Sequence, residues 1–246
     1  MKSWRVPPFN WWRTVFYLIP AIAIYTVVLG SLSILSSFVD PSGDFAHKCA
    51  RAWAWLILKT TGVRVETRGL ERLDPARSYV FAANHQSIFD IPVVFAILPL
   101  QLRIIAKDSL GWFPFLGWHL RRTGHLLVDR ENPGAGIVKK MARLIGGARS
   151  LIVFPEGTRS ADGAVGRFKG GSFLLAIDSK LPVVPISIAR SRFVMLKGQL
   201  MACPGDVIVT IHDPLSTEGI TRAQARAFAE RVREMVRRDV DEPQRI

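Results

Sequence analysis

The chain is expected to fold as one α/β domain, a central, largely parallel or mixed seven-stranded sheet flanked by helices, with an apolar two-helix segment in front of it. Beyond residue 62, short apolar runs alternate with stretches of helical periodicity, the pattern of strands and helices layered on one sheet. Before residue 62 the composition is different: Thr14 to Val39 contains no charged residue at all. With 246 residues and 49% hydrophobic content there is enough material for one well-buried domain and an additional apolar element.

The uncharged run covers 26 positions. As a helix rising 1.5 Å per residue it reaches roughly 39 Å, more than a ~30 Å hydrocarbon core. Lys2, Arg5 and Arg13 precede it, and Trp4, Trp11 and Trp12 suit the headgroup zone of a bilayer. A cleaved signal peptide fits badly, because its apolar region spans about 7–15 residues and ends in an Ala-x-Ala-like site. Pro20 is expected to kink the helix. The turn Asp40-Pro41-Ser42-Gly43-Asp44 leads to a second apolar helix, Phe45 to Thr61, whose Lys48, Arg51, Lys59, Trp53 and Trp55 suit an interfacial position. Residues 1–61 are thereby read as a membrane-anchoring helical hairpin and residues 62–246 as the α/β domain.

Strands are expected at Val63–Arg68, Tyr79–Ala83, Leu102–Ala106, His125–Val128, Leu151–Phe154, Val183–Ala189 and Val207–Ile211. Helices are expected at Asp90–Leu98, Gly134–Gly146, Gly171–Ser179 and Thr221–Val240. Thr221 and Gln224 have capping-box spacing, and Phe228, Val232, Met235, Val236 and Val240 recur on one face, so the last helix reads as docked on the core with a solvated basic face.

Composition narrows the partners. The net charge of +13 and pI near 10.5 suit nucleic acid, an anionic membrane surface or anionic substrates. No zinc-knuckle spacing, helix-turn-helix or aromatic RNA-binding motif is present, which argues against nucleic acid. Cys49 and Cys203 match no redox or metal motif and suit a reducing compartment. His47, His119, His125 and His212 lack paired ligand spacing, so no metal site is expected.

Two stretches carry chemistry, and both follow the plan of a buried strand running into an abrupt polar turn. Asn84-His85-Gln86-Ser87-Ile88-Phe89-Asp90 ends the run at 79–83. Five residues on a regular helix would turn His85 and Asp90 about 140° apart. They meet only if His85 sits on the loop and Asp90 in the first turn of the next helix. The carboxylate then accepts one imidazole N–H and leaves the other nitrogen as a general base. The competing reading is a helix-capping Asp beside an unrelated loop His. The second stretch, Phe154-Pro155-Glu156-Gly157-Thr158-Arg159-Ser160, puts a planar five-donor guanidinium beside a glycine that permits close backbone approach.

These blocks resemble the glycerophospholipid acyltransferases, most closely the 1-acyl-sn-glycerol-3-phosphate (lysophosphatidic acid) acyltransferases, over roughly residues 63–212. Asn84 to Asp90 is similar to the family's His-x-x-x-x-Asp block, Gly124 to Arg130 to its Gly-to-Asp-Arg strand block, Phe154 to Ser160 to its Phe-Pro-Glu-Gly-Thr-Arg-Ser signature, and Val183 to Ile188 to its Val-Pro-Ile block. Lys107-Asp108-Ser109-Leu110 and Arg167-Phe168-Lys169-Gly170-Gly171 resemble two connecting elements, with Ser109 standing where a glutamate is usual.

The resemblance implies transfer of a fatty acyl group from an acyl thioester, acyl-CoA or acyl-acyl carrier protein, to the sn-2 hydroxyl of lysophosphatidic acid, giving phosphatidic acid without a cofactor. It implies catalytic His85 and Asp90, and Lys107 and Arg159 on the acceptor phosphate. Glu156, Gly157 and Thr158 would shape the acceptor pocket, and Lys169 and Arg130 are further candidates for the phosphate. Arg130 is equally placed to pair with Asp129 or Glu131. Backbone N–H groups near Gly157 or Val184–Ile186 are the candidate oxyanion donors. No Gly-x-Ser-x-Gly elbow occurs, in keeping with direct attack by the acceptor hydroxyl. Other classes compatible with the same residues are a hydrolase or transacylase, an enzyme for glycerol-3-phosphate or a lyso-aminolipid, and a non-catalytic basic membrane-binding protein. Lys2, Arg5 and Arg13 before the long segment balance Lys48, Arg51 and Lys59 after it. A hairpin with both ends on the cytoplasmic face of the inner (plasma) membrane, among anionic lipids, keeps the basic domain beside its donor.

Overall fold

The computed structural model describes residues 8–128 and 149–241. The first helix, α1 (Phe9–Ser36), begins before the uncharged run and contains one π-helical turn at Thr14–Leu18, where the Ile19 N–H reaches back to the Thr14 carbonyl. Pro20 explains it: a proline inside a helix lacks the N–H for the preceding turn and crowds the carbonyl four residues back, and widening the turn relieves both. Asp40 then builds the reversal, its carboxylate accepting the Gly43 N–H at 3.2 Å and the Phe45 N–H at 2.8 Å. α2 (Asp44–Thr61) returns along α1. The Trp53 indole donates to Thr26 Oγ1 at 3.0 Å, Tyr25 meets Thr60 at 3.0 Å, and Arg13 Nη2 caps the Thr60 and Thr61 carbonyls at 2.8 and 2.7 Å.

Seven strands follow: β1 (Val63–Arg68), β2 (Val80–Ala83), β3 (Gln101–Lys107), β4 (Leu126–Val128), β5 (Arg149–Val153), β6 (Val183–Ala189) and β7 (Gly205–Ile211). Their order is β1-β7-β6-β2-β5-β3-β4. β6, β2, β5, β3 and β4 are parallel; β7 runs antiparallel to β6 and carries β1 parallel to itself, so the sheet is mixed. The remaining helices among the described residues are α3 (Asp90–Ile97), α4 (Leu116–Arg122), α5 (Leu174–Asp178), α6 (Ser191–Val194) and α7 (Ala225–Asp241).

The expected helix at 171–179 is divided into a 3-10 turn, Gly170–Phe173, and α5. The segment expected at Gly134–Gly146 lies outside the described residues. α4, α6 and the 3-10 turn Asp108–Trp112 were not expected, because each is short and lacks a repeating apolar period. Where strand ends move they do so by one or two residues, as fraying ends do. Phe154 leaves β5 to meet His85, and His125 falls before β4, where its Nδ1 accepts the Ile104 N–H at 3.1 Å.

The period of two along the parallel strands sorts the core into two layers. Phe81, Ala83, Ile152, Ile186 and Ile188 pack toward α1, α2 and α3; Val80, Ala82, Leu151, Val153 and Val183 pack toward α5 and α7. α7 docks by Phe228, Ala229, Val232 and Val236, opened by the Thr221–Gln224 capping box. The outer side of α1 has no such partner among the described residues. Phe16 is 67% exposed and Leu35 65%, and Ile24, Val28 and Leu32 are exposed between them.

Candidate active site

The carboxyl ends of β2 and β5 lie side by side, since Ala82 is level with Val153 in their parallel register. The turns that leave them must therefore touch. Asn84 prolongs the order of β2 by one residue: its amide donates to the Ile188 carbonyl at 2.8 Å and accepts the Ile188 N–H at 2.7 Å, copying a strand neighbour with a side chain. The chain then turns, and Asp90 opens α3 with its side chain pointing back.

Asp90 is fully buried. Its Oδ2 accepts three bonds: His85 Nδ1 at 2.8 Å, the Gln86 N–H at 2.8 Å and the Ser87 N–H at 2.9 Å. Because two backbone N–H groups already donate to this oxygen, it serves as an acceptor for the ring as well: the imidazole donates from Nδ1 and Nε2 is the lone-pair nitrogen. Phe154 stacks on the imidazole with ring centroids 4.3 Å apart, which holds the ring plane.

The 156–160 turn grips the same residue from its other side. Glu156 Oε1 accepts the His85 N–H at 2.8 Å, and the Ser160 N–H donates to the His85 carbonyl at 2.8 Å. Glu156 Oε2 accepts the Gly166 N–H at 3.1 Å. Burial pushes the Glu156 carboxyl above its usual range, while these two backbone donors pull the other way. The Gln86 side chain adds a bond to the Gly163 carbonyl at 2.5 Å. Gly157 has φ +77°, and a Cβ there would stand 2.9 Å from Lys169 Nζ, so glycine both permits the turn and lets the ammonium approach.

The sequence-predicted residues are thus partly assembled. His85, Asp90 and Glu156 are bonded into one unit, and Gly157, Thr158 and Arg159 continue from it. Lys107 ends β3, two strands from β2 on the same sheet edge, and is exposed. Arg130 lies outside the described residues. The candidate oxyanion donors are already committed: the Gly157 N–H donates to the Phe154 carbonyl at 3.0 Å, and Val184–Ile186 stand within the β6 ladder. Lys197 was missed in the sequence; its Nζ donates to the Arg159 carbonyl at 2.6 Å and lies 3.3 Å from Thr158 Oγ1.

Two cavities adjoin the site. A cleft of about 760 Å³ is lined by Glu156, Thr158, Arg159, Arg167, Lys169 and Arg226 among others. An apolar cavity of about 170 Å³ lies between α1, α2, α3 and α4, with Leu29, Trp53, Ile91, Phe95, His119 and His125 among its walls. Its histidines were read as separate residues, yet they come together: the His119 and His125 rings are 5.4 Å apart, and both lie under the influence of Arg103. Burial first, then the Arg103 charge, pushes His119 down to about 4, and His125 is held well below its usual value. Both are neutral near pH 7, so an apolar guest meets no charge from them. Among the described residues no group of three His, Cys, Asp or Glu side chains is placed to hold a metal ion.

A buried His–Asp pair thus stands at the carboxyl ends of the parallel strands, joined through Glu156 to a cleft lined by basic side chains. The family model described as Acyltransferase matches residues 64–189, and the chain belongs to that family. It is similar to 1-acyl-sn-glycerol-3-phosphate acyltransferase of Saccharomyces cerevisiae, with 34% identity over 83% of this chain and 69% of that protein. It is also similar to 1-acyl-sn-glycerol-3-phosphate acyltransferase alpha of Homo sapiens, with 34% identity over 70% of this chain; the match spans 62% of the human protein's own length. The crystal structure of the 1-acyl-sn-glycerophosphate (LPA) acyltransferase from Thermotoga maritima superimposes with a TM-score of 0.82 at 28% identity, covering 96% of this chain and 97% of that one.

Proposed function

We propose that this chain moves a fatty acyl group from an acyl thioester to the sn-2 hydroxyl of lysophosphatidic acid, forming phosphatidic acid, with His85 as general base and Asp90 as the group that orients it. The observation that carries this reading is the 2.8 Å bond from His85 Nδ1 to Asp90, which leaves Nε2 without a partner among the described residues. Nε2 takes the hydroxyl proton as the acceptor oxygen attacks the thioester carbonyl. The tetrahedral intermediate collapses by breaking the C–S bond, and the departing thiolate recovers the proton from the imidazolium. Asp90 stabilises that imidazolium while it lasts. No enzyme serine is acylated, because the acceptor hydroxyl is itself the nucleophile. The acidic phosphate of the acceptor suits Arg159, with Lys107 on the same sheet edge, and an acyl chain suits the apolar cavity.

Replacing either cation tests the acceptor. Arg159→Ala and Lys107→Ala are each expected to raise KM for lysophosphatidic acid roughly tenfold or more while leaving KM for the thioester near its wild-type value. One charge-assisted hydrogen bond is worth about 1.5–3 kcal/mol. Equal losses on both substrates, or undiminished activity on a phosphate-free acceptor, would count against this assignment.

α1 and α2 are proposed to seat the enzyme on one leaflet, dipping in and returning, on the cytoplasmic face. Two features support this: the outer side of α1 is apolar and uncovered by any described residue, and Trp112 (83% exposed), Phe113 and Trp118 project from the 3-10 turn and from α4, beside Phe115, which packs on Gly30 of α1. Aromatic side chains of this kind settle at the headgroup level. Tags at the two ends of the chain should be equally accessible to protease in sealed vesicles of known orientation. Opposite exposure of the two ends would replace the dip by a crossing.

A further inference from the structure

The two cavities open on opposite faces of the sheet. The apolar one borders α1, α2, α3 and α4. The cleft lies on the other face: Val165 and Phe168, within its loop, belong to the core beneath α7, and Arg226 stands in the first turn of α7. That loop is strapped to the helix by Arg233, whose Nε and Nη2 donate to the Gly166 and Val165 carbonyls at 3.0 and 3.3 Å. The cleft therefore looks away from the lipophilic side of α1.

Its charges are also unspent. The side chains of Arg159, Arg167, Lys169 and Arg226 make no hydrogen bond or ion pair with any described residue, although all four line one cavity. Neighbouring arginines behave differently, Arg222 holding Asp178 at 2.5 Å and Arg233 holding Glu230 at 2.7 Å. Two acids share the lining, and both are occupied. Glu156 accepts the His85 and Gly166 N–H groups, and Asp162 Oδ1 accepts the Ser160 hydroxyl at 2.9 Å and the Ala164 N–H at 3.0 Å.

Four unpaired cations from three chain segments exceed what one phosphate monoester requires. The volume, about 760 Å³, falls within the ~300–1,000 Å³ of a small-molecule site. Lys169, which reaches Gly157, and Arg159 belong to the turn beside His85; Arg167 and Arg226 belong to the wall built on α7. We infer that this wall receives the phosphates of a nucleotide-bearing acyl thioester of the coenzyme A type, with Arg167 and Arg226 as their contacts, so that the thiol arm passes Glu156 and delivers the carbonyl to His85. The inference rests on the acyl-transfer reading above and names its donor. An acyl carrier protein would need a protein-sized contact surface of ~800 Å² rather than a recessed cleft.

The test uses the full chain in mixed micelles of lysophosphatidic acid, with three variants: Arg167→Ala, Arg226→Ala and the two combined. Each single change is expected to raise KM for acyl-CoA about tenfold, with kcat and KM for lysophosphatidic acid within twofold of wild type. With acyl-pantetheine, which lacks the nucleotide, all four proteins should share one KM. Overturning outcomes are a penalty of the same size with acyl-pantetheine, a penalty on KM for the lysolipid, or a wild-type preference for acyl-acyl carrier protein over acyl-CoA. Titration calorimetry with free coenzyme A keeps this separate from the acyl-transfer reading, since it needs no turnover. Wild type should bind it at least tenfold more tightly than the double variant, and equal affinities would overturn the assignment even if the enzyme is active.

Discussion

His85→Ala is expected to reduce turnover ~10²–10⁴-fold, the usual contribution of a positioned base, with the protein still folded. The structural cost of the change is small. Asp90 Oδ2 keeps its two backbone donors, Gln86 N–H and Ser87 N–H, and the bonds from Glu156 and Ser160 to residue 85 involve its backbone rather than its ring. What is lost is the imidazole's own bond to Asp90 Oδ2 and its stack on Phe154. Among the described residues no second base replaces the imidazole: Glu156 has both oxygens tied to backbone N–H groups. The measurement is initial rate with lysophosphatidic acid and a thioester at saturation, alongside the thermal unfolding midpoint. Turnover within tenfold of wild type in a folded variant would remove His85 from the mechanism.

The residues that meet in this site were legible to different depths, and the differences have physical origins. β1 and β6 match their expected limits: β1 alternates apolar and polar residues between Gly62 and Gly69, and β6 is apolar along most of its length despite Pro185. The His85–Asp90 contact was legible because loop and helix start lie within six residues, so local geometry settles it. Sheet order was not: nothing in the strand sequences says that β7 lies between β1 and β6, parallel to the first and antiparallel to the second, since that is decided by the connections. The inward turn of Glu156 was hidden for the same reason. It depends on β5 lying beside β2, so a residue read as a pocket wall is also the clasp on the His85 N–H. Asn84 pairing with Ile188 is a contact across 104 positions, and no pattern near either residue announces it. The histidines illustrate the reverse error. Spacing along the chain separated His47, His119 and His125, whereas burial of α2, α4 and the start of β4 against one another brings them close enough for each to lower the charge tolerance of His125.

Asp90→Asn should lower turnover on the order of 10²–10³-fold, and comparison with Asp90→Ala separates the charge from the scaffold. In the asparagine variant the amide oxygen is held at the Oδ2 position, because turning the NH₂ there would set it against the Gln86 and Ser87 N–H donors. His85 Nδ1–H therefore still finds an acceptor, and the tautomer survives. The negative charge that stabilises the imidazolium does not. The NH₂ takes the place of Oδ1, a buried atom with no partner among the described residues, which adds a modest stability cost. The alanine variant loses more. It strands two buried N–H groups at about 1–3 kcal/mol each and frees the imidazole to rotate, so its unfolding midpoint should fall several degrees below that of the asparagine variant. Turnover should fall with it. An asparagine variant as active as wild type would mean that the carboxylate contributes orientation alone; an alanine variant of undiminished midpoint would mean that the loop from His85 to Asp90 is held by something other than this oxygen.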